Sequence, residues 1–278
     1  MPADLHCHTK LSDGSASIEE LVYMARRMGL SAISVTDHDT QAGVARAVLM
    51  AKKYGITVVP GVELSAYDYA RGRKVHLLCY LPDSPGRLEG LCKQTLDSRS
   101  KANRQAAEFV IQHFPVSSDM INKRATGSTA LYKQHIMHAL VDAGCADRIF
   151  GRMFDFLFGK EGKARVPVEY PDVFEVLALA KDSGGIAVLA HPYAYDSLEL
   201  LPELAEKGLD GVEAWHPRHS EEQAAHLEKL AEEMGLLLTG GTDFHGGYSP
   251  RVQKVGKFVT PDDHLKKLLD YKHKRKKG

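Results

Sequence analysis

The feature that most constrains this chain is a repeated pairing: a short apolar run that ends in, or carries, an imidazole or a carboxylate. Ala3 to His8 alternates, so that Asp4, His6 and His8 share one face of a strand while Leu5 and Cys7 share the other. Ala32-Ile33-Ser34-Val35 runs into Thr36-Asp37-His38-Asp39, and Ile56-Thr57-Val58-Val59 into Pro60-Gly61-Val62-Glu63. Val75 to Tyr80 carries His76, Ile186 to Ala190 ends at His191-Pro192, and Gly211 to Trp215 ends at His216-Pro217-Arg218-His219. Leu236-Leu237-Leu238 leads into Thr239-Gly240-Gly241-Thr242-Asp243-Phe244-His245. These runs, most of them separated by helical patterns, predict an α/β barrel rather than an all-β protein. In such barrels the site is built at the carboxyl ends of the strands, where most of these polar residues fall. His76 lies near the start of its run, so the fourth strand is expected to enter in the opposite direction and make the barrel irregular.

Helix signals fit the same rhythm. Ser17 and Glu20 have the spacing of a capping box, Ile18, Leu21, Val22, Ala25 and Met28 form an apolar stripe, and Gly29 marks the stop. Val44, Ala47, Val48 and Ala51 suit a second helix. Between Pro82 and Val166 the strand–helix alternation gives way to helical patterns such as Leu91 to Phe114 and Leu131 to Ala143. This stretch is expected to be a helical insertion over the barrel mouth, with loops at Gly127-Ser128-Thr129 and Gly159-Lys160-Glu161-Gly162. The predicted layout is a discontinuous barrel over 1–82 and 167–270, a cap over 83–166 and a basic tail over 271–278.

Composition narrows the class. The 278 residues, 44% of them apolar, suffice for a sizeable core, and no apolar run reaches the length of a membrane span. Met1-Pro2-Ala3-Asp4 opens with no charged-then-apolar signal segment, so a cytoplasmic location is expected. Cys7, Cys79, Cys92 and Cys145 form no C-x-x-C pair, which argues against a zinc ribbon or a thioredoxin-like motif. Lys+Arg and Asp+Glu both total 36, giving no electrostatic basis for sequence-independent nucleic-acid binding over the whole surface. The run Lys272-His273-Lys274-Arg275-Lys276-Lys277 is the exception, and it reads as a solvated, disordered end.

His6, His8, Asp13, His38, Glu63, His76, His191, Asp243 and His245 would then converge on one end of the barrel. Any one of these histidines alone, His76 above all, reads as an ordinary packed side chain; together they read as metal ligands. Burying unpaired carboxylates costs several kcal/mol each, whereas divalent ions turn the same groups into ligands. Mixed nitrogen and oxygen donors suit manganese, iron or zinc better than magnesium or calcium. Three dications among three carboxylates would leave a charge of about +3 for an anionic substrate and hydroxide. Water bound to such ions loses its proton near pH ~7 rather than ~15.7, which fits hydrolysis of a phosphate ester. Asp4, Asp37 and Asp39 are expected to orient ring N–H groups or to cap helices.

Asp4-Leu5-His6-Cys7-His8 followed by Ser12-Asp13-Gly14, Thr36-Asp37-His38-Asp39, His191-Pro192 and Asp243-Phe244-His245 resemble the motifs of the PHP (polymerase and histidinol phosphatase) family. The resemblance implies a distorted seven-stranded β/α barrel with a trinuclear site. It would place His6, His8, Glu63 and Asp243 on one ion, Glu63, His76 and His191 on a second, and Asp13, His38 and His245 on a third. His191, His245 and Asp243 would stand nearest the chemistry, which falls to metal-activated water rather than to a side chain.

The helical insertion is similar to that of the branch acting on nucleoside 3′,5′-bisphosphates and short 5′-phosphorylated oligonucleotides. Where that branch commonly has Arg-Pro-His-x-Ala-Arg-Ala-Leu-Val, this chain has Lys133-Gln134-His135-Ile136-Met137-His138-Ala139-Leu140-Val141. Lys133 and His135 are therefore candidate substrate ligands, with lysine giving a point charge in place of a bidentate fork. Arg218 and His219 are further candidates for a phosphate clamp. Trp215 and Tyr193 are read as core or rim residues rather than as a base-stacking pair. The leading expectation is a metal-dependent phosphoesterase using two or three divalent ions on a small phosphorylated nucleotide. A histidinol-phosphate or other small-molecule phosphatase is the alternative enzyme, and a non-catalytic metal-binding module the alternative of another class.

Overall fold

Eight strands and ten α-helices lie within residues 2–275, the part of the chain that this computed structural model describes. In order they are β1 (Ala3–Cys7), α1 (Ile18–Arg27), β2 (Ala32–Val35), α2 (Val44–Tyr54), β3 (Thr57–Val58), β4 (Gly61–Asp68) and β5 (Arg73–Tyr80). Helices α3 (Glu89–His113), α4 (Ser118–Ala125), α5 (Lys133–Asp142), α6 (Arg152–Phe158) and α7 (Val173–Asp182) follow. The chain closes with β6 (Ile186–Leu189), α8 (Leu201–Glu206), β7 (Gly211–Trp215), α9 (Glu221–Met234), β8 (Leu237–Gly240) and α10 (Asp262–Arg275).

The fold is mixed α/β, but the strands form two sheets of three (β1-β2-β3) and five (β4-β5-β6-β7-β8), not one seven-stranded sheet. The additional strand arises at Pro60. Proline has no N–H to give the ladder, so the run from Thr57 breaks there and Gly61–Asp68 begins a new strand. That strand pairs antiparallel with β5 over its whole length, Gly61 opposite Tyr80 and Asp68 opposite Arg73. Strand β5 is also antiparallel to β6, whereas β6, β7 and β8 run parallel, so the His76 strand does enter in reverse. The two sheets touch along two seams. Glu63 N–H donates to Thr36 O at 3.2 Å and Asp39 N–H to Glu63 O at 2.9 Å; at the other seam His8 N–H donates to Phe244 O at 2.8 Å. Both seams run through histidine-bearing strand ends.

Helix α1 starts as its sequence predicts, with Glu20 N–H donating to Ser17 Oγ at 3.2 Å and Ser17 N–H to Glu20 Oε2 at 2.7 Å. Its face of Ile18, Leu21, Val22 and Ala25 packs with Ile33, Val35 and Ala47. Leu5, Leu78, Tyr80, Ile186 and Val188 fill the space between the sheets. Helices α3 to α6 share a separate core that includes Val110, Ile121, Ile136, Leu140 and Leu157. The segment between α4 and α5 touches the strand-end loops at Thr129 N–H to Leu11 O (2.9 Å), Ser128 Oγ–H to Ser12 O (2.8 Å) and Tyr132 O–H to His38 O (3.4 Å).

The expected basic tail differs. Leu265 and Leu268 give α10 a buried face that continues to Lys272, whose ammonium donates to Asp83 and to Gly184 O. Arg275 donates to Gly185 O at 3.1 Å, so 271–275 is helix anchored through Lys272 and Arg275, with His273 and Lys274 exposed. Lys276 and Lys277 lie outside the described residues. Among the described residues no helix is long and apolar enough to cross a membrane.

Candidate metal centre

Glu63 is the hub of the site. Strand β4 delivers it, 1% exposed, into a ring of five imidazoles from four other segments. Its Oε2 lies 3.1 Å from His8 Nε2 and 3.2 Å from both His6 Nε2 and His38 Nδ1. Its Oε1 lies 2.7 Å from His76 Nδ1 and 2.9 Å from His191 Nε2. Asp243 Oδ1 is 3.2 Å from His8 Nε2 and 3.6 Å from His6 Nε2, and Asp13 Oδ1 is 3.2 Å from His245 Nε2. All nine sequence-nominated residues thus meet at one end of the strands. Their ligand atoms are close enough for one ion among His6, His8, Glu63 and Asp243, another among His8, Asp13, His38 and His245, and another among His38, Glu63 and His76.

The loops are held so that this convergence is obligatory. Asp37 accepts from Thr9 N–H at 2.7 Å and Ser12 Oγ–H at 2.5 Å, fixing the loop that presents Asp13. A Cβ at Gly14 would sit 2.7 Å from His8 O, so that turn requires glycine. Asp4 accepts from Thr242 N–H at 2.9 Å and Gly256 N–H at 2.8 Å, and Asp39 accepts from Ser65 N–H at 2.8 Å and Arg99 at 3.0 Å. The three aspartates therefore brace strand-end loops, instead of orienting ring N–H groups or capping helices. His191 and Asp243 both adopt positive φ, 27° and 49°, a strained conformation for residues other than glycine.

Electrostatics sharpen the picture. Burial would raise Glu63, Asp13 and Asp243, yet the surrounding histidines hold all three well below the ordinary carboxylate range. Burial would lower His8, yet its contacts with Asp243 and Glu63 lift it to about 10. Even so, His6 Nε2, both nitrogens of His8, Asp13 Oδ1, His38 Nδ1, Glu63 Oε2 and His191 Nδ1 are buried without a well-formed hydrogen bond. Such atoms cost about 1–3 kcal/mol each and are few in native proteins. Their concentration at one point, on nitrogen and oxygen donors, fits divalent cations. The tautomers agree: His6 Nδ1–H donates to Glu213 Oε1 at 2.9 Å and His245 Nδ1–H to Asp243 O at 2.8 Å, leaving each Nε2 lone pair free for a ligand role.

A cavity of about 700 Å³ opens over these residues, and Gln134, Tyr195, Arg218, His219, Tyr248 and Arg251 are among its walls. Arg218 and His219 are thus at the pocket, although His219 Nδ1–H is committed to Ala214 O at 2.8 Å. Lys133 and His135 are not in its lining. His135 sits in the first turn of α5, where its Nδ1 accepts from Tyr132 N–H at 3.2 Å and burial lowers it to about 4. Lys133 Nζ lies 5.2 Å over the Phe158 ring; burial, then Lys74, Arg165 and Arg99, lowers it to about 8. Trp215 and Tyr193 face Glu228 (2.9 Å) and His226 (2.7 Å) instead of the pocket.

Glu213, His216, Tyr195 and Gln134 were not singled out from sequence, though Gln134 donates to Asp13 Oδ2 at 3.0 Å. For Glu213 the signal existed: a carboxylate between Val212 and Ala214 in an otherwise apolar strand needs a buried partner.

The PHP domain family model matches residues 4–95. A phosphoribosyl 1,2-cyclic phosphate 1,2-diphosphodiesterase of Eggerthella lenta is 37% identical over 92% of this chain and 98% of its own length. A 5′-3′ exoribonuclease of Haemophilus influenzae is 30% identical over 87% and 89%. Among solved structures, a Bifidobacterium adolescentis protein assigned as a metal-dependent phosphoesterase superposes with a TM-score of 0.87 at 31% identity, covering 97% of each chain.

Proposed function

As this chain belongs to the PHP family and is a metal-dependent phosphoesterase, a hydrolase of phosphate esters, we propose that its substrate is a phosphorylated ribose bearing two phosphates. A nucleoside 3′,5′-bisphosphate or the 5′ end of a short phosphorylated oligonucleotide fits this description. The observation that carries the reading is a second cationic region beside the imidazole cluster. Lys74 lies two residues before His76 on the same face of β5, Arg99 is bound to Asp39 next to His38, and Lys133 adjoins the Gln134 that bonds Asp13. Arg165 completes the group, and mutual repulsion within it helps lower Lys133 to about 8. Among the described residues no carboxylate pairs with Lys133. Among the described residues Arg99 is the one member of this group that pairs with a carboxylate, and crowded cations of this kind suit a second anionic group on the substrate.

In this reading the scissile phosphate lies against His191, His245 and Asp243, with Arg218 and His219 on the outer wall, and the distal phosphate lies towards Lys133, with His135 holding the helix turn beneath it. His6, His8, Glu63 and Asp243 would hold one divalent ion, Glu63, His76 and His191 a second, and Asp13, His38 and His245 a third, drawn from manganese, iron or zinc. When bound, such ions supply the Lewis acidity that activates water and neutralises phosphate charge. Glu63 would contribute to two of these sites, and Gln134 steadies Asp13. We read the two sheets as one distorted barrel of seven strands with β3 and β4 as a single bent strand, 83–166 as its cap, and the enzyme as cytoplasmic.

A second reading, a cyclic phosphodiester of phosphoribose, is favoured by the 37% identity to the Eggerthella lenta diesterase. The test is a manganese-loaded assay of adenosine 3′,5′-bisphosphate, 5-phosphoribosyl 1,2-cyclic phosphate, histidinol phosphate and a ribose monophosphate. The proposal expects both doubly phosphorylated riboses, or one of them, to exceed the others in kcat/KM by at least about tenfold, since a lost ionic contact costs over 1.4 kcal/mol. Equal constants across the panel refute it.

A further inference from the structure

Strand β7 delivers two buried side chains that the proposed function leaves without a task, Glu213 (0% exposed) and His216 (1% exposed). Glu213 uses both oxygens. Its Oε1 accepts from His6 Nδ1–H at 2.9 Å, and its Oε2 accepts from the backbone N–H of His191 at 2.9 Å. One carboxylate therefore ties the first strand to the turn that follows β6. His6, once it donates from Nδ1, must carry its lone pair on Nε2, and that atom faces Glu63 at 3.2 Å and Asp243 at 3.6 Å.

His216 has the opposite polarity. The backbone N–H of Arg218 donates to its Nδ1 at 3.1 Å, so the neutral ring carries its proton on Nε2. That Nε2 is buried, lacks a well-formed hydrogen bond, and points towards Asp243 Oδ2 at 3.4 Å. Asp243 Oδ1 meanwhile faces His8 Nε2 at 3.2 Å. His6, Glu213 and His216 are close enough to one another to hold an ion by distance alone. Their hydrogen bonds argue otherwise: the Glu213 oxygens already accept, and His216 presents a proton where a ligand needs a lone pair.

We propose that Glu213 and His216 are positioning residues, a β7 buttress that fixes which nitrogen of His6 and which oxygen of Asp243 face the divalent ions. Glu213 locks the His6 tautomer, and the His216 N–H engages Oδ2 so that Oδ1 is left to the ion shared with His6, His8 and Glu63. The inference rests on the metal reading of the pocket and is independent of the substrate.

The test uses the full chain stripped of metal and titrated with Co²⁺, reading its visible spectrum, the number of ions bound at saturation, and affinity by chelator competition. Glu213→Gln and His216→Leu are expected to bind as many ions as the wild type, one of them about 10–100-fold more weakly, with an altered cobalt spectrum. His216→Gln, which keeps an N–H donor, is expected to recover affinity to within about threefold of the wild type. Affinities unchanged in Glu213→Gln and His216→Leu overturn the proposal, as does loss of a whole ion at saturation from either, which would make these residues ligands. A failure of His216→Gln to improve on His216→Leu also overturns it. If Glu213→Gln does not fold, the His216 pair still decides. A wild-type chain that takes up no cobalt would instead remove the metal reading, and the buttress with it.

Discussion

The two ends of the strands handle buried charge in opposite ways. At the amino-terminal end of β7, Asp210 accepts from Lys181, from Ala187 N–H at 2.9 Å and from Tyr271 O–H at 2.7 Å, while Lys272 nearby binds Asp83 and a backbone carbonyl. Among the described residues no atom of that network is buried without a partner. At the carboxyl end, Asp13, Glu63, His6, His8, His38 and His191 are buried as well, yet each keeps a buried atom with an unmade bond. A network that closes on itself serves the fold. One that stays open is completed by something the protein binds, and donors of this kind select a metal.

Paired substitutions test that contrast. Glu63→Gln removes the carboxylate that five imidazoles face. Breaking a buried pair costs about 3–5 kcal/mol, so kcat/KM with manganese is expected to fall by roughly 10²–10⁴-fold, with ions lost from the pocket. Asp210→Asn is expected to lower unfolding free energy by about 1–3 kcal/mol, reduced because Lys181 is part-exposed, while kcat/KM stays within about twofold. Denaturant titration and kinetics on both variants check this. The contrast fails if Asp210→Asn loses activity with its metal content intact.

A smaller effect separates the metal-free from the loaded chain. His8 rises to about 10 in the fold from an ordinary value near 6.5, so without metal its contribution to stability is complete below pH 6.5 and is lost as pH climbs towards 10. Ligation demands deprotonated nitrogen, so the loaded chain should gain stability over the same range. Thermal unfolding from pH 6.5 to 9.5, with and without manganese, should give slopes of opposite sign. Parallel slopes would mean that His8 does not face the ions.

How much of this was legible in the sequence follows from what each feature depends on. The nine clustered donors were legible because each lies in, or a few residues beyond, an apolar run, and such runs are fixed by local patterns such as Val35 before Thr36-Asp37-His38. The reversal at β5 was visible in His76 lying early in its run. Strand β4 was not visible, because Leu64-Ser65-Ala66-Tyr67 reads equally as loop until Gly72, at φ 67°, turns the chain back against it. Lys272 looked like part of a solvated run, since its partners Asp83 and Gly184 are distant in sequence. His216 was quoted only as the end of a run, because its role depends on a hydrogen bond from its own loop.

The smallest effect sits at Lys133, whose ammonium belongs to neither kind of network: it is partly buried, has no carboxylate partner among the described residues, and faces the Phe158 ring at 5.2 Å. With its ionisation lowered to about 8 by burial and neighbouring cations, the free enzyme loses this charge at mildly alkaline pH. If the charge receives the distal phosphate, KM for a doubly phosphorylated ribose should rise severalfold between pH 7.5 and 9, and kcat should change less. Lys133→Arg keeps its proton throughout that range and should flatten the rise, because guanidinium stays charged. The folding sign is separate. A lysine lowered in the fold favours the native state increasingly from pH 8 to 10.5, so a rise in KM cannot be assigned to unfolding. If KM rises equally in Lys133→Arg, the charge that matters lies elsewhere, and the distal phosphate must be sought at Arg218 and the outer wall of the pocket.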